Sequence, residues 1–290
     1  MTSETSQSLS KETKDILNQN GIKLNKNLGQ NYLIDKNKRD QIIKFGDISK
    51  EDVILEIGTG IGTLTIELAK KAQKVIAIEQ DTQICEILAK RLKKENIDNV
   101  ELINDDALKV DFPPFNKIIS NLPYQISSPI TFKFLDYDFD LAILMYQKEF
   151  ADRMNGEVGS KNYSRLSAML YFKCDVEKLT DVSQESFIPK PKIDSSVVKL
   201  TPKENQISEE DFNTYSKFTK ALFQHRNKKI RNALIDSRHI ISNIDKKDLK
   251  KRLNGIEDDE INYYLSKRVI VLKPEEILDV SKKLNPIFKE

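Results

Sequence analysis

The chain has 290 residues, with 47 basic and 45 acidic side chains for a net charge of +2, two cysteines and two histidines. That length can bury one large domain plus a small one. The near balance of charge fits an ordinary protein of solution and does not itself point to nucleic acid, although basic residues gathered on one face would still bind phosphate. Cys85 and Cys174 lie far apart, with His225 and His239 as the histidines beside them, which argues against a structural zinc or haem site. The polar opening residues carry no apolar secretion segment. No apolar run approaches the roughly 20 residues of a bilayer span, so a cytoplasmic protein that uses no metal is expected.

In chain order, Ser10 is placed to cap a short helix through Leu17 that stops at Gly21. A loop with glycine and asparagine follows, from Lys26 to Leu33. From Val53 onward the runs VILEI, VIAIE, VELIN, KIIS and LAILMY alternate with helical stretches such as 82–94. Strands alternating with helices at this spacing predict an α/β fold, and the right-handed crossover rule makes it a doubly wound, Rossmann-like sheet. Cys85 reads as a buried helical residue and Cys174 as strand packing. A last strand is expected over Ser195 to Leu200, and a boundary near 203. Beyond it, 209–224, 226–236, 246–253 and 274–284 read as amphipathic helices of a small, lysine-rich C-terminal domain. The division predicted is an extension over 1–23, the sheet domain over 24–202 and the helical domain over 203–290.

Glu56-Ile57-Gly58-Thr59-Gly60-Ile61-Gly62 leaves a strand and enters a helix. Glycine at Gly58 and Gly60 lets the backbone turn tightly against a ligand. Thr63 stands where a dinucleotide fingerprint would have its third glycine. A nucleoside cofactor with a compact amino-acid tail therefore fits better than a pyrophosphate, with its carboxylate meeting loop N–H groups. Glu79 ends the next strand about twenty residues on, where a carboxylate can accept from both ribose hydroxyls. The third strand ends in Asn104-Asp105-Asp106-Ala107-Leu108. There a carboxylate can accept from an adenine amine while a backbone N–H meets a ring nitrogen, and Asp105 and Asp106 compete for that role.

Asn121-Leu122-Pro123-Tyr124 follows the fourth strand. An adenine amine is a poor nucleophile because its lone pair is delocalised into the ring. The amide oxygen of Asn121 and the carbonyl of Leu122 can accept both N6 hydrogens, favouring a tetrahedral nitrogen and stabilising the positive charge that develops during attack on a methyl group. Pro123 stiffens the turn, and Tyr124 offers a face on which an extracted base can stack. A methyl sulfonium is already activated, so S-adenosylmethionine chemistry needs no metal or strong base, and catalysis reduces mainly to positioning and electrostatics.

These residues, in this order, resemble the small-subunit ribosomal RNA adenine N6,N6-dimethyltransferase family. Lys26-Asn27-Leu28-Gly29-Gln30-Asn31-Tyr32-Leu33 is similar to its N-terminal cofactor motif, which implies that Asn31 and Leu33 contact S-adenosylmethionine. The resemblance likewise assigns Gly58, Glu79, Asp106, Ala107 and Asn121 to the cofactor, and Asn121 and Tyr124 to catalysis. The blocks at 147–151, 163–167, 187–192, 194–197, 223–229, 231–234 and 268–274 also resemble the family, so the likeness runs from about 24 to 285. It implies that Phe187 packs on the target base, facing Tyr124. It further implies two methyl groups on each of two adjacent adenosines near the 3′ end of small-subunit rRNA, a role in subunit biogenesis, and by analogy a monomer. His225 departs from the family, standing where many relatives have a second basic residue, and the first twenty or so residues carry no family motif.

Arg226, Lys228, Lys229 and Arg231 form a basic cluster suited to RNA phosphates, with a solvated helix face as the competing reading. For the lysines and arginine of 246–252 the solvated face is the better reading. Two rivals remain: an adenine methyltransferase acting on large-subunit rRNA or on DNA, and a ribosome-assembly or transcription factor that keeps the fold without the activity. The helical tail and the block from Phe187 to Ser196 favour the small-subunit group. Intact Glu79, Asp106, Asn121 and Tyr124 speak against lost activity.

Overall fold

The five apolar runs all become strands, in a computed structural model that describes residues 2–22, 31–204 and 207–289, with residues 2–8 as backbone alone. In chain order the strands are β1 (Tyr32–Leu33), β2 (Val53–Ile57), β3 (Lys74–Ile78), β4 (Val100–Ile103), β5 (Lys117–Asn121), β6 (Leu141–Gln147), β7 (Cys174–Val182), β8 (Phe187–Ile188) and β9 (Ser195–Pro202). Seven of them form one sheet in the order β4-β3-β2-β5-β6-β9-β7. The pairs from β4 to β6 are parallel, and β9 runs antiparallel to β6. Continuous apolar sequence is what such strands require, since helices cover both faces. Ile54, Leu55, Val75, Ile76, Ile118 and Ile143 are accordingly sealed from solvent.

The chain winds outward from β2 through β3 to β4, then returns to the other side of β2 with β5. Where strand order reverses in this way, loops at the C-terminal strand ends diverge and leave a crevice. The two segments that open there leave β2 at Gly58 and β5 at Asn121. Beside this sheet, β1 pairs antiparallel with β8 and sets Leu33 opposite Phe187.

Asp81 begins the helix Thr82–Lys94 by accepting from the N–H groups of Gln83 and Ile84, and Asp35 begins Lys36–Phe45 by accepting from Lys38 N–H. The first helix differs from expectation. It runs Thr2–Gln19 and contains Ser10, which is therefore an interior residue and no cap. Its end is as expected, for Gly21 follows at φ +63°. The helix turns Leu17 into a cluster with Tyr32, Ile61, Ile84 and Ile87 beside the glycine turn.

Two compact units result, one made of residues up to Ala151 with Val176–Pro202, the other of Asp152–Asp175 with the chain from Lys203. The second unit thus takes in the helix Arg165–Lys173, which composition had grouped with the sheet. Its other helices are Glu209–Phe223, Ile230–Asp236, Lys246–Asn254, Asp259–Ser266 and Pro274–Phe288. Ring contacts knit them, with Phe218 and Phe288 centroids 5.3 Å apart and Phe172 and Tyr215 5.1 Å apart. The helix expected over 226–236 starts only at Ile230, because the carbonyls of Arg226 and Lys228 accept from Ile270 and Val269 N–H instead. Asp259–Ser266 was not foreseen. It is eight residues long and buries Ile261 and Leu265 alone, too short for a visible periodicity.

Candidate active site

The crevice at the reversal is a cavity, and one lining brings together Asn31, Leu33, Gly58, Gly60, Glu79, Asp105, Asp106, Ala107 and the whole Asn121–Tyr124 turn. Every residue expected to hold the cofactor is among them. Lys26–Gln30, the rest of that N-terminal motif, lie outside the described residues.

The glycine turn is shaped by need. Gly58 sits at φ +71°, and a Cβ there would come within 2.8 Å of the Pro123 ring; Gly60, at φ +54°, would meet the Tyr32 ring at 3.0 Å. Both positions combine left-handed backbone with close approach, which a side chain would obstruct. Glu79, one residue past β3, accepts from Gly60 N–H on Oε2 and from Asp81 N–H on Oε1, each at 3.0 Å. Each carboxylate oxygen keeps a further lone pair for a ligand. Burial pushes this carboxyl above its ordinary range against those two N–H bonds.

Glu56 is a site residue that the sequence reading did not single out. It lies inside β2, is 2 % exposed, lines the cavity, and its Oε2 has no hydrogen-bond partner among the described residues. Burial pushes its carboxyl up to about 8, and the negative charge of Glu79 adds to the effect. The Tyr32 hydroxyl also lines the cavity without a partner among the described residues, and burial raises it too.

On the opposite wall, the Ser120 hydroxyl donates to Ile57 O at 2.7 Å and ties β5 to β2 beneath the turn. Asn121 Nδ2 donates to Asn31 O at 3.3 Å, which leaves Oδ1 as the amide's acceptor. Tyr124 is fixed through a 2.6 Å hydrogen bond between its hydroxyl and the buried Ser195 Oγ, and burial raises its hydroxyl above the ordinary value. Asp105 and Asp106 both reach the cavity. Asp105 Oδ1 accepts from Asp106 N–H, and Asp106 Oδ1 accepts from Leu108 N–H at 3.0 Å.

Four of the five other expected substrate contacts are engaged within the fold. Phe187 does not line the cavity; it is 2 % exposed and packs with Leu33, Val182 and Val197 in the core, because its pairing across from Leu33 turns the ring inward. Arg226 spends its guanidinium on the carbonyls of Lys161 and Tyr163, at 2.8 and 2.9 Å. Arg231 donates to Leu253 O, Asn254 Oδ1 and Asn262 Oδ1. Lys228 pairs with Asp236 at 2.8 Å. Lys229 alone of the four is exposed with no side-chain partner among the described residues.

The donor set matches S-adenosylmethionine. Glu79 keeps lone pairs for hydroxyl donors such as those of its ribose, and Glu56 lines the same cavity with a buried oxygen that has no partner among the described residues. The cofactor's purine needs an acceptor and an apolar slot, which Asp105, Asp106 and Ala107 provide. Sheet order, reversal and cavity together are those of the S-adenosylmethionine-dependent methyltransferases, as solved relatives bear out. The dimethyladenosine transferase of Plasmodium falciparum superposes with a TM-score of 0.72 at 32% identity, over 87% of this chain and 96% of that one. The 23S rRNA methyltransferase ErmE gives 0.62 at 25% identity, over 88% and 99%. Residues 21–266 match the family described as ribosomal RNA adenine dimethylase. A probable ribosomal RNA small subunit methyltransferase A of Methanosphaera stadtmanae is 50% identical over 269 residues, 93% of this chain and 96% of the relative. Its counterpart in Methanothermobacter thermautotrophicus is 46% identical over 280 residues, 95% and 96% of the two chains. The chain belongs to the ribosomal RNA adenine dimethylase family.

Proposed function

We propose that this protein transfers methyl groups from S-adenosylmethionine to N6 of two adjacent adenosines in the 3′-terminal hairpin loop of small-subunit rRNA, two to each. On this reading it works in the cytoplasm, as a monomer, on the maturing small subunit. The observation that carries it is the convergence of the cofactor-type residues and the Asn121–Tyr124 turn on one cavity. The names of the relatives supply the RNA class.

S-adenosylmethionine supplies an electrophilic methyl group on a sulfonium. Glu79 accepts from the ribose hydroxyls, Asp106 from the purine amine, and Ala107 N–H meets a purine ring nitrogen; Asn31, Leu33, Gly58 and Gly60 complete the wall. Asn121 Oδ1 and the Leu122 carbonyl accept the two hydrogens of the target amine and stabilise the charge it gains. Tyr124 stacks on the extracted base, its ring held by Ser195. Neither acceptor is a base, so the displaced proton passes to water. A second methylation requires the monomethylated amine to turn, and a single acceptor pair leaves it free to do so.

The test is transfer of labelled methyl to small subunits that lack the modification, with nucleoside mass spectrometry of the product. Dimethyladenosine is the expected product. Asn121→Ala should lower turnover by about 10²–10³ with RNA binding largely kept. Turnover equal to the unaltered protein's would refute the role given to Asn121. The likeness to ErmE favours a second reading, an adenine of large-subunit rRNA, so large subunits belong in the same assay and labelling of them alone would select it.

A further inference from the structure

Lys133 lies in the last turn of the helix Ser127–Phe134, whose first residue directly follows the Tyr124–Ile126 turn. Its ammonium donates to Ala107 O at 2.9 Å and to Val110 O, and stands 4.2 Å from the centroid of the Phe112 ring. All three partners belong to the irregular segment after β4. That segment brings Asp105, Asp106 and the buried Ala107 to the cavity. Within it, Lys109 and Val110 N–H both return to Asp106 O, so the loop curls on itself and turns two carbonyls toward one cation. A loop carbonyl withdrawn from water needs a donor, and one ammonium over a ring face satisfies two such carbonyls together.

We infer that Lys133 is a positioning residue that locks the purine-side loop to the helix carrying the acceptor turn, and so sets the span between the cofactor's adenine and the target amine. This rests on the cofactor reading above. The ammonium touches no reacting atom. It fixes Ala107 directly and Asp106 through the loop that closes on the Asp106 carbonyl, the two residues that the cofactor reading sets on the purine, against a helix whose other end adjoins the turn of Tyr124. With that tie removed, the loop loses both anchors at the carbonyls and the adenine subsite loosens, whereas the glycine turn and Glu79 keep their own hydrogen bonds.

The experiment titrates S-adenosylhomocysteine by calorimetry against the unaltered full chain, Lys133→Met, Lys133→Arg and Lys133→Gln. Amide hydrogen exchange over 105–112 is followed in each. Methionine keeps the stem and removes the donor, and should weaken binding about tenfold, the scale of one charge-assisted hydrogen bond. Exchange at Leu108, Lys109 and Val110 should rise with it, while amides of the glycine turn should be unaffected. Arginine, which keeps charge and donors, should bind within about threefold of the unaltered chain. Should Lys133→Met fail to fold, Lys133→Gln carries the comparison, with an intermediate loss expected. A variant that melts earlier yet binds S-adenosylhomocysteine normally, with loop exchange unmoved, would overturn the inference while the cofactor reading stood. No binding by the unaltered chain would overturn both.

Discussion

Two acidic residues at opposite ends of one strand have opposite fates. Asp52, just before β2, accepts from Ser49 N–H at 2.6 Å, Asn116 Nδ2 at 2.8 Å and Lys117 Nζ at 2.9 Å. Burial pushes its carboxyl up, but these bonds outweigh burial and hold it at about 2. Glu56, four residues on, is more deeply buried, its Oε2 has no hydrogen-bond partner among the described residues, and its carboxyl is pushed up to about 8. The lower end of the sheet completes its polar bonding within the fold, whereas the upper end leaves bonding capacity for something that arrives. The same contrast recurs in the second unit between Arg231, whose guanidinium makes three hydrogen bonds, and Lys229, whose ammonium has no partner among the described residues. In both pairs, unspent hydrogen-bonding capacity, more than charge as such, separates the two residues.

Breaking the completed side should cost stability. Asp52→Ala takes the carboxylate from the Lys117 ammonium, whose side chain is 13 % exposed, and leaves it the Asp47 carbonyl alone among the described residues, while the Asn116 amide keeps Asp140. Loss of one partner of such a pair should lower the unfolding free energy by about 3 kcal/mol, read from urea titration, with S-adenosylhomocysteine affinity unchanged well below the melting temperature. Arg231→Ala leaves one carbonyl and two amide oxygens without their donor. The expected loss is about 2 kcal/mol, with RNA affinity at low temperature unaltered. A large fall in RNA affinity with intact stability would place Arg231 on the RNA and erase the distinction.

Glu56→Gln sharpens the unsatisfied side through pH. The folded carboxyl titrates near 8 against an ordinary 4.5, so between those values the folded state holds a proton that the unfolded chain has released. Stability from this group is full below about 4.5 and is lost as pH rises toward 8, at about 1.4 kcal/mol per pH unit within that window. Asp52 has the opposite sign: its contribution is present above its ordinary 3.8 and is lost as pH falls toward 2. Urea titrations from pH 5 to 9 should show a decline in the unaltered protein that Glu56→Gln flattens. An equal decline in both would mean that Glu56 is not the neutral buried group.

This asymmetry also explains what could be read in advance. The strands were legible because a parallel sheet buried on both faces demands unbroken apolar runs. Gly58, Glu79, Asp106 and Asn121 were legible because each lies at a strand end or in the turn just beyond it, with a distinctive residue type. Glu56 was not, since a glutamate inside VILEI carries no mark of keeping a buried oxygen without a partner among the described residues. Phe187 was placed on the target base by family likeness, and its pairing across from Leu33, 154 positions earlier, turned it into the core. The cluster from Arg226 to Arg231 misled for a related reason. Its four cations look equivalent in sequence, but the carbonyls that occupy Arg226 and Arg231 come from residues 161, 163 and 253. No local pattern could reveal those partners.

Lys229 gives the smallest and most selective effect. It precedes the helix Ile230–Asp236, where its backbone is bridged to Arg268 while its side chain stays in solvent. An exposed ammonium without a partner adds almost nothing to folding, so Lys229→Ala should leave urea unfolding unchanged. If that ammonium meets a phosphate, its removal should reduce the slope of log affinity against log salt by about one, equally for every RNA sequence, since backbone contacts carry no base information. Arg231→Ala, measured alongside, should leave the salt slope alone while lowering stability. A single positive charge on each side of the comparison then changes one observable and spares the other. An unchanged slope for Lys229→Ala would show that an open valence on this unit is solvated surface, and would confine the link between unspent bonding capacity and function to the cavity.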